Sequence, residues 1–302
     1  MSPAKRWLAW ARPEGGGWRL FAPEPVGEPA GLFARLLARA GGGAVALGVD
    51  FPLGLPRAYA ARRPEADFPA FLAGLAGLAG RAEFFSVCET LDQVSPDRPF
   101  YPARAVRGMS RAAHAAALGL ADARALSRAC DRATAARPAG APLFWTLGAN
   151  QTGKAAIAAW RDLPLSAPFV RVWPFAGPFR ALLEPGVVAL AETYPAEALR
   201  QLGLRLAGSK RRQADRAALA GELRAVLARA GAVAEPALAA AIADGFGADA
   251  AGEDRFDCVI GLLGVLGVLA GARPDAAPAD DPWLHRWEGW VLGQTDRPLD
   301  WP

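Results

Sequence analysis

The segment Ala44–Pro56, AVALGVDFPLGLP, constrains the fold more than any other part of this 302-residue sequence. Residues 44–49 are all apolar or Gly, which is typical of a β-strand covered on both faces. The strand ends at Asp50, and the prolines and glycine that follow prevent a strand or helix from continuing. Open α/β folds bind ligands at such strand ends, although Asp50 could instead cap the turn by accepting backbone hydrogen bonds.

The composition excludes several classes of protein. With 52% hydrophobic and 21% charged residues, the chain can bury a substantial core and is not disordered. Its 3 cysteines form no C-x-x-C pair, and its 2 histidines are too few for a His-rich metal site. We find no secretion signal, and the longest apolar run, about 15 residues, is too short to span a membrane. We therefore expect a soluble cytoplasmic protein, and its net charge of +4 permits an anionic partner.

The hydrophobic periodicity predicts one α/β domain over residues 1–302, with a mixed sheet and a helical insertion at 57–142. Strands are predicted at 6–11, 18–22, 44–49, 143–147, 169–173 and 187–192. Helices are predicted at 31–40, 68–81, 110–137, 209–229, 254–271 and directly after Tyr194. The Trp-rich segment WLHRWEGWVLGQ is predicted to end in an edge strand.

Glycines recur at every third position in the helix predicted at 254–271. Gly261, Gly264 and Gly267 share one helix face, and each costs about 1 kcal/mol relative to Ala. We expect the compensating gain to be close packing of this helix on the sheet. That packing would bring Asp254 and Asp257 near the strand ends, although both acids also suit the start of a helix without any further role.

Four carboxylates therefore form a candidate metal site. Asp50 and Glu192 each end a predicted strand, and Asp257 begins the Gly-rich helix with Asp254 one turn earlier. Oxygen ligands of this kind suit Mg²⁺ or Mn²⁺, and clustered carboxylates repel one another unless a cation lies among them. Metals held in this way stabilise the attacking and leaving oxygens of phosphodiester hydrolysis.

A basic segment, SKRRQADR, is a candidate for binding phosphate. Lys210, Arg211, Arg212 and Arg216 carry enough positive charge for nucleic acid or another phosphate-bearing substrate, and a solvated helix face explains them equally well. The sequence does not indicate an oligomeric state.

A second candidate phosphate site is the loop Gly148–Lys154. It fits G-x-x-x-x-G-K, but Ala155 follows Lys154 where a phosphate-binding loop needs a Ser or Thr hydroxyl for magnesium. A nucleotide-binding protein that uses this loop is therefore a weaker alternative, and Lys154 could still contact phosphate.

Five segments of the sequence, in this order, resemble the DUF429 family, a group of predicted nucleases of the ribonuclease H-like fold. They are GVDFPLGLP at 48–56, AETYPAEAL at 191–199, SKRRQADR at 209–216, DRFDCVIGLLGVL at 254–266 and EGWVL at 288–292. The resemblance covers the whole chain loosely and these segments well. It implies a ribonuclease H-like mixed β-sheet flanked by helices and a metal-dependent nuclease activity.

The resemblance also implies roles for individual residues. Asp50, Glu192 and Asp257 would be the acidic metal-binding positions, with Asp254 as a secondary ligand. Lys210 and Arg216 would contact phosphate, and Arg57 could join them.

The chain departs from the family pattern in its first strand. The family places an Asp there, in ribonuclease H-like nucleases typically the residue that bridges the metals, whereas this chain has Arg12 at about that position. Glu14 is displaced from the position by two residues, several ångström along an extended chain. An inactive ribonuclease H-like module that binds nucleic acid or a partner is therefore the alternative to a nuclease.

Overall fold

The computed structural model describes residues 6–77, 81–148 and 152–301. In this part of the chain, helices flank open β-sheets, so the fold is α/β as predicted. The strands are β1 (Trp7–Leu8), β2 (Ala11–Glu14), β3 (Gly17–Leu20), β4 (Glu24–Pro25), β5 (Val45–Val49), β6 (Val170–Val172), β7 (Val188–Glu192) and β8 (Ala232–Ala234). The first six helices are α1 (Leu32–Arg39), α2 (Arg57–Ala60), α3 (Phe68–Gly77), α4 (Arg81–Phe84), α5 (Arg111–Ala117) and α6 (Thr152–Asp162). The others are α7 (Pro195–Gln201), α8 (Gln213–Ala217), α9 (Ala220–Arg229), α10 (Pro236–Asp244) and α11 (Gly252–Leu269).

The strands form a parallel sheet and an antiparallel ribbon. The parallel sheet has the order β5-β7-β6, and all residues of its central strand β7 are buried. β2 and β3 form the predicted Gly-rich hairpin, β8 pairs parallel with β3, and β1 pairs antiparallel with β4. The β1–β4 pair and the β2–β3 hairpin are linked by two further backbone hydrogen bonds. Phe21 N–H donates to Trp10 O, and Val26 N–H donates to Arg6 O. Residues 6–14 and 17–26 are therefore one long, interrupted ribbon.

The segment between β5 and α6 contains short helices separated by irregular stretches, and it packs aromatic side chains into the largest core cluster. Within the described residues 57–77 and 81–142, it contains α2 to α5, short 3-10 turns and isolated β-bridges. Phe68, Phe71 and Phe100 of this segment are almost fully buried. Among all described residues, no helix combines the length and hydropathy needed to cross a membrane.

Helix α11 packs closely on its neighbours at two of the three glycines that recur at every third position. A Cβ added at Gly264 would lie 3.3 Å from the Ala198 side chain, and one at Gly261 would lie 3.5 Å from Thr193 Oγ1. A Cβ at Gly267 would meet no atom within 4 Å. Gly261 and Gly264 therefore allow close packing, but against Thr193 after β7 and against α7 rather than on the sheet strands as predicted. Gly267 faces open space.

The turn after β5 is fixed by a segment far along the sequence. Leu55 N–H donates to Trp287 O at 2.7 Å, and the backbones cross so closely that a Cβ at Gly54 would overlap Glu288 O. A Cβ at Gly289 would likewise overlap Leu53 O, and both glycines have positive φ, +147° and +67°. Only glycine permits this combination of backbone conformation and close approach.

Several predicted elements are wrong in length or type. The helix predicted at 110–137 is α5 followed by 3-10 turns, because Asp122 caps a new turn and Pro138 follows closely. The helix predicted at 209–229 is divided into α8 and α9, and the strand predicted at 143–147 is only a β-bridge between Tyr101 and Trp145. The Trp-rich segment forms a π-helical turn, Leu284–Glu288, instead of an edge strand.

Candidate functional site

A pocket with a volume of about 310 Å³ lies between β1, β5, α6 and α11. Most of its wall is apolar, and Asp50, Asp254 and Asp257 also line it. A Cβ at Gly48 would lie 2.7 Å from the Val265 side chain, so α11 packs directly against β5. The end of β5 thus meets the start of α11, and the pocket has an acidic end.

Asp50 lines the pocket and is exposed as a residue, although the protein atoms around its carboxylate still desolvate it. Burial in these surroundings raises the pKa of Asp50 to about 7, with further contributions from the negative charges of Asp257, Glu192 and Asp254. Lys210 opposes these effects. The charges of Asp257, Glu192 and Asp254 thus act on Asp50, but no three of these four predicted carboxylates, all of which the structure describes, have ligand atoms within 4.8 Å of one another.

Asp257 is a half-buried carboxylate of the pocket, with 14% of its side chain exposed. Burial raises its pKa to about 6, although Lys210 acts in the opposite direction. Lys210 Nζ lies 2.6 Å from Asp257 Oδ2, whereas Asp257 Oδ1 is buried and has no hydrogen-bond partner. One carboxylate oxygen at the acidic end is thus available as a ligand.

Lys210 lies beside the acidic end of the pocket, in the loop before α8. Its Nζ is also 3.4 Å from Glu253 Oε1. Burial alone would lower the pKa of Lys210, but the charges of Asp257, Asp50 and Glu253 outweigh it and raise the pKa. Lys210 is therefore a permanent cation at the pocket, with 38% of its side chain exposed.

Glu192 is close to Asp50 but has a different environment. Val49 and Glu192 are register partners, and the Glu192 carboxylate accepts hydrogen bonds from Arg128 Nη1 at 2.6 Å and Nη2 at 2.7 Å. It also accepts Leu53 N–H at 2.8 Å. Burial raises the pKa of Glu192, an effect that Arg128 opposes. In the structure, Glu192 fixes the turn that carries Asp50 and is not among the pocket-lining residues.

A buried cluster that includes Glu192 could hold a metal ion. Cys130, Asp131 and Glu192 offer ligand atoms within 4.8 Å of one another, and they are the one such group of three among the described His, Cys, Asp and Glu residues. Arg128 already pairs with both carboxylates of this cluster. Burial raises the pKa of the Cys130 thiol well above its usual value, so the thiolate form is disfavoured.

The remaining predicted phosphate-binding arginines have structural partners. Arg216 is buried, and its guanidinium donates to the backbone oxygens of Gly245, Gly247 and Lys210. It holds the loops at the start of α8 and α11 together, so its predicted contact with phosphate is not supported. Arg57 pairs with Asp281 and Glu288, and its guanidinium lies over the Trp283 ring.

The Gly148–Lys154 loop falls partly outside the described residues, because residues 149–151 are not described. Lys154 is half-buried in the first turn of α6. The described residues through which α6 lines the pocket are Ala155, Ala158, Ala159 and, just after the helix, Leu163.

The missing first-strand carboxylate is not explained by Arg12, because Arg12 and Glu14 lie in β2 and not in β1. Arg12 and Glu14 lie on the hairpin arm, where Glu14 pairs with Arg19 and is 3.8 Å from Arg12. The first-strand residues that line the pocket are Arg6, Trp7, Leu8 and Ala9. The first strand therefore contributes no carboxylate to the described pocket wall.

Sequence reasoning missed Arg128 and the pocket wall formed by residues 6–9. Arg128 lies in an Ala- and Arg-rich segment that we predicted to be helical, and nothing there distinguishes it from the neighbouring arginines. The wall formed by β1 could have been inferred only from the placement of β1 opposite β5. Comparison of the chain with models of protein families, with curated proteins and with solved structures finds no match.

Proposed function

We propose that this protein is a Mg²⁺- or Mn²⁺-dependent phosphodiesterase that acts on nucleic acid, with a ribonuclease H-like fold related to the DUF429 family. The observation that carries the proposal is the acidic end of the pocket, which Asp50 and Asp257 both line and where Lys210 pairs with Asp257. A cation would relieve the repulsion between these carboxylates, which contributes to the raised pKa of Asp50.

The donor atoms of the pocket fit a hard divalent ion. Mg²⁺ is commonly bound by one or two carboxylates, with water and substrate phosphate as the remaining ligands. Asp50 and Asp257 would supply the carboxylates, and Asp257 Oδ1 has no hydrogen-bond partner that a metal would have to displace. Asp254 would be a secondary ligand. We assign Glu192 to positioning, because Arg128 and Leu53 N–H already bind its carboxylate.

The reaction is the addition of water across a phosphate ester bond. When bound, the divalent ion activates water and neutralises charge on the phosphate. The water oxygen forms a bond to phosphorus, the ester bond to the leaving alcohol breaks, and the leaving oxygen takes up a proton. Lys210 would donate a hydrogen bond to a phosphate oxygen and stabilise the charge that develops on it.

Metal titration tests this proposal directly. Mg²⁺ and then Mn²⁺ are titrated into EDTA-treated protein by calorimetry, with wild type compared to Asp50→Asn. Asp92→Asn is a matched control, because Asp92 is exposed and does not line the pocket. We expect saturable binding that is lost only in Asp50→Asn. Binding that persists in Asp50→Asn would refute the assignment of this site.

A second candidate function is a non-catalytic module that binds phosphate-bearing ligands. It is favoured because the first strand brings only Arg6, Trp7, Leu8 and Ala9 to the pocket, so the carboxylate that family members place there has no counterpart. Binding of nucleic acid that EDTA does not weaken, together with no hydrolysis in Mg²⁺ or Mn²⁺, would identify this function.

A further inference from the structure

The pocket lies along a gap between two β-strands. Residues 6–9 of the β1 region and residues 46–51 of the β5 region both line it. In the described part of the chain, β1 pairs only with β4, and β5 pairs only with β7. The two strands thus present edges to a shared cavity without hydrogen bonds between them.

The edge of β5 presents unpaired main-chain groups to this gap. Val45 N–H donates to Val187 O, and Val49 O accepts Thr193 N–H, so these residues use their polar groups on β7. Alternate residues of a parallel strand direct these groups to opposite sides. Ala46 and Gly48 therefore direct their N–H and C=O groups away from β7, and no hydrogen bond to them is formed within the described residues.

Small and apolar residues cover the gap above and below. Ala155, Ala158 and Ala159 of α6 line one side, and Gly261 and Leu262 of α11 line the other. Their small side chains leave a cavity of about 310 Å³, near the lower limit for small-molecule sites. A flat ring system with hydrogen-bonding edges matches both the apolar faces and the unpaired edge.

Trp7, which also lines the pocket, carries a buried donor. The Trp7 indole Nε1 is buried and has no hydrogen-bond partner, and Trp7 is one of the pocket-lining residues. Buried indole N–H groups usually have an acceptor, and a small rotation of Trp7 would let this one meet an acceptor in the pocket.

We propose that the gap between β1 and β5 binds a nucleobase-like heteroaromatic ring whose attached phosphate reaches Asp50, Asp257 and Lys210. The main-chain groups of Ala46 and Gly48 would bind the ring edge. This inference rests on the proposed function for the phosphate end, and it restricts the substrate to one nucleotide unit. We restrict that unit to a free nucleotide or the terminal nucleotide of a strand, because the cavity of about 310 Å³ has room for only one ring and its phosphate.

The test is calorimetry on the full chain with Mn²⁺ present. The ligands are nucleoside 5′-monophosphates, ribose 5-phosphate and the corresponding nucleosides. We expect the monophosphates to bind at least about tenfold more tightly than ribose 5-phosphate, because the ring buries apolar surface in the gap. Equal affinity of the monophosphates and ribose 5-phosphate would overturn the inference.

Variants that fill the pocket test whether the monophosphates bind in the gap between β1 and β5. Ala155→Phe should reduce monophosphate affinity at least about tenfold. Ala225→Phe is the matched control, since Ala225 is exposed on α9 and does not line the pocket. Leu262→Phe fills the gap from the opposite wall and provides a second measurement if Ala155→Phe does not fold. Unchanged affinity in a folded pocket-filling variant would refute the location.

Two further comparisons separate the possible outcomes. Linear and circular single-stranded DNA distinguish a terminal nucleotide from an internal one, and equal binding of the circle would overturn the restriction to one unit. Nucleoside binding that Ala155→Phe abolishes, without any metal binding, would support the ring site and refute the proposed function. Metal binding that Asp50→Asn abolishes, together with equal affinity for monophosphates and ribose 5-phosphate, would support the proposed function and refute the ring site.

Discussion

Lys210 Nζ lies 2.6 Å from Asp257 Oδ2, and this ion pair joins the loop before α8 to the second turn of α11. The same Asp257 carboxylate has a second, buried oxygen without a hydrogen-bond partner. Lys210 therefore neutralises only part of the negative charge around Asp50 and Asp257.

Replacing Lys210 should separate metal binding from phosphate binding. In Lys210→Met, Mg²⁺ should bind up to about fivefold more tightly at pH 8, because a partly exposed ion pair contributes about 0.2–1 kcal/mol and no longer competes for Asp257. Phosphate-bearing ligands should bind more weakly, since the cation is lost. Calorimetry with Mg²⁺ and with a nucleotide measures both changes. A variant that loses affinity for Mg²⁺ would show that Lys210 does not oppose metal binding.

The pH dependence of stability should report the raised pKa of Asp50. Its folded-state pKa of about 7 exceeds the usual value of about 3.9, so the native state retains a proton that the unfolded state loses. This stabilisation is complete below about pH 4 and is lost as the pH rises through 7. Asp257, with a pKa of about 6, acts in the same direction. Urea unfolding from pH 5 to pH 8 should therefore show a smaller loss of stability in Asp50→Asn than in wild type. Equal losses would contradict the raised pKa.

Mg²⁺ should stabilise the protein more strongly at pH 8 than at pH 5. Protons and the metal compete for the carboxylates of Asp50 and Asp257, which have pKa values of about 7 and 6. At a Mg²⁺ concentration about 100 times the Kd, the free energy of unfolding should rise by about 2.7 kcal/mol. Denaturation with and without EDTA measures the effect. A stabilisation that is independent of pH would indicate a site other than this one.

Arg128 should contribute strongly to stability. Arg128→Met would leave Asp131 and Glu192 without their buried cation, and breaking such a pair costs about 3–5 kcal/mol. Arg104→Met is the matched control, because Arg104 and its partner Glu89 are 74% and 56% exposed. That change should cost no more than about 1 kcal/mol. Urea denaturation of both variants tests the difference, and similar costs would contradict a dominant role for the buried pair.

The glycines of α11 provide a second matched pair. Gly267→Ala should stabilise the protein by about 1 kcal/mol, because the added methyl group meets no atom within 4 Å and Ala favours the helix. Gly264→Ala should gain less or lose stability, since the methyl group would lie 3.3 Å from Ala198. Thermal unfolding measures both changes. A larger gain at Gly264 would show that α7 moves away from α11 easily.

The sequence predicted those parts of the fold that depend on local signals. The all-apolar run before Asp50, the run that ends in Glu192 and the Pro at the start of α7 each specify an element through neighbouring residues, and all three elements are observed. The predicted helix at 110–137 was wrong because alanine and arginine favour helix equally along it. Its interruption depends on turn and tertiary contacts that periodicity does not encode.

The candidate site was predictable only in part. Strand ends and the helix start identified Asp50 and Asp257, because these positions follow from local structure. The pairing of Glu192 with Arg128 joins residues separated by 64 positions, and the burial of Arg216 depends on loops that meet only in the folded chain. Whether a charged residue faces a pocket or holds loops together is decided by such contacts.

The crossing of Gly54 and Gly289 has a consequence for the order of events during protein synthesis. Arg57 and its partner Glu288 are separated by 231 residues, so a ribosome makes the turn after Asp50 well before the segment that fixes it. At about 5–20 residues per second, the delay is roughly 12–46 s. Throughout this interval, the nascent turn lacks the Trp287 backbone acceptor and the Glu288 carboxylate. The acidic end of the pocket is therefore completed only after translation has passed Gly289.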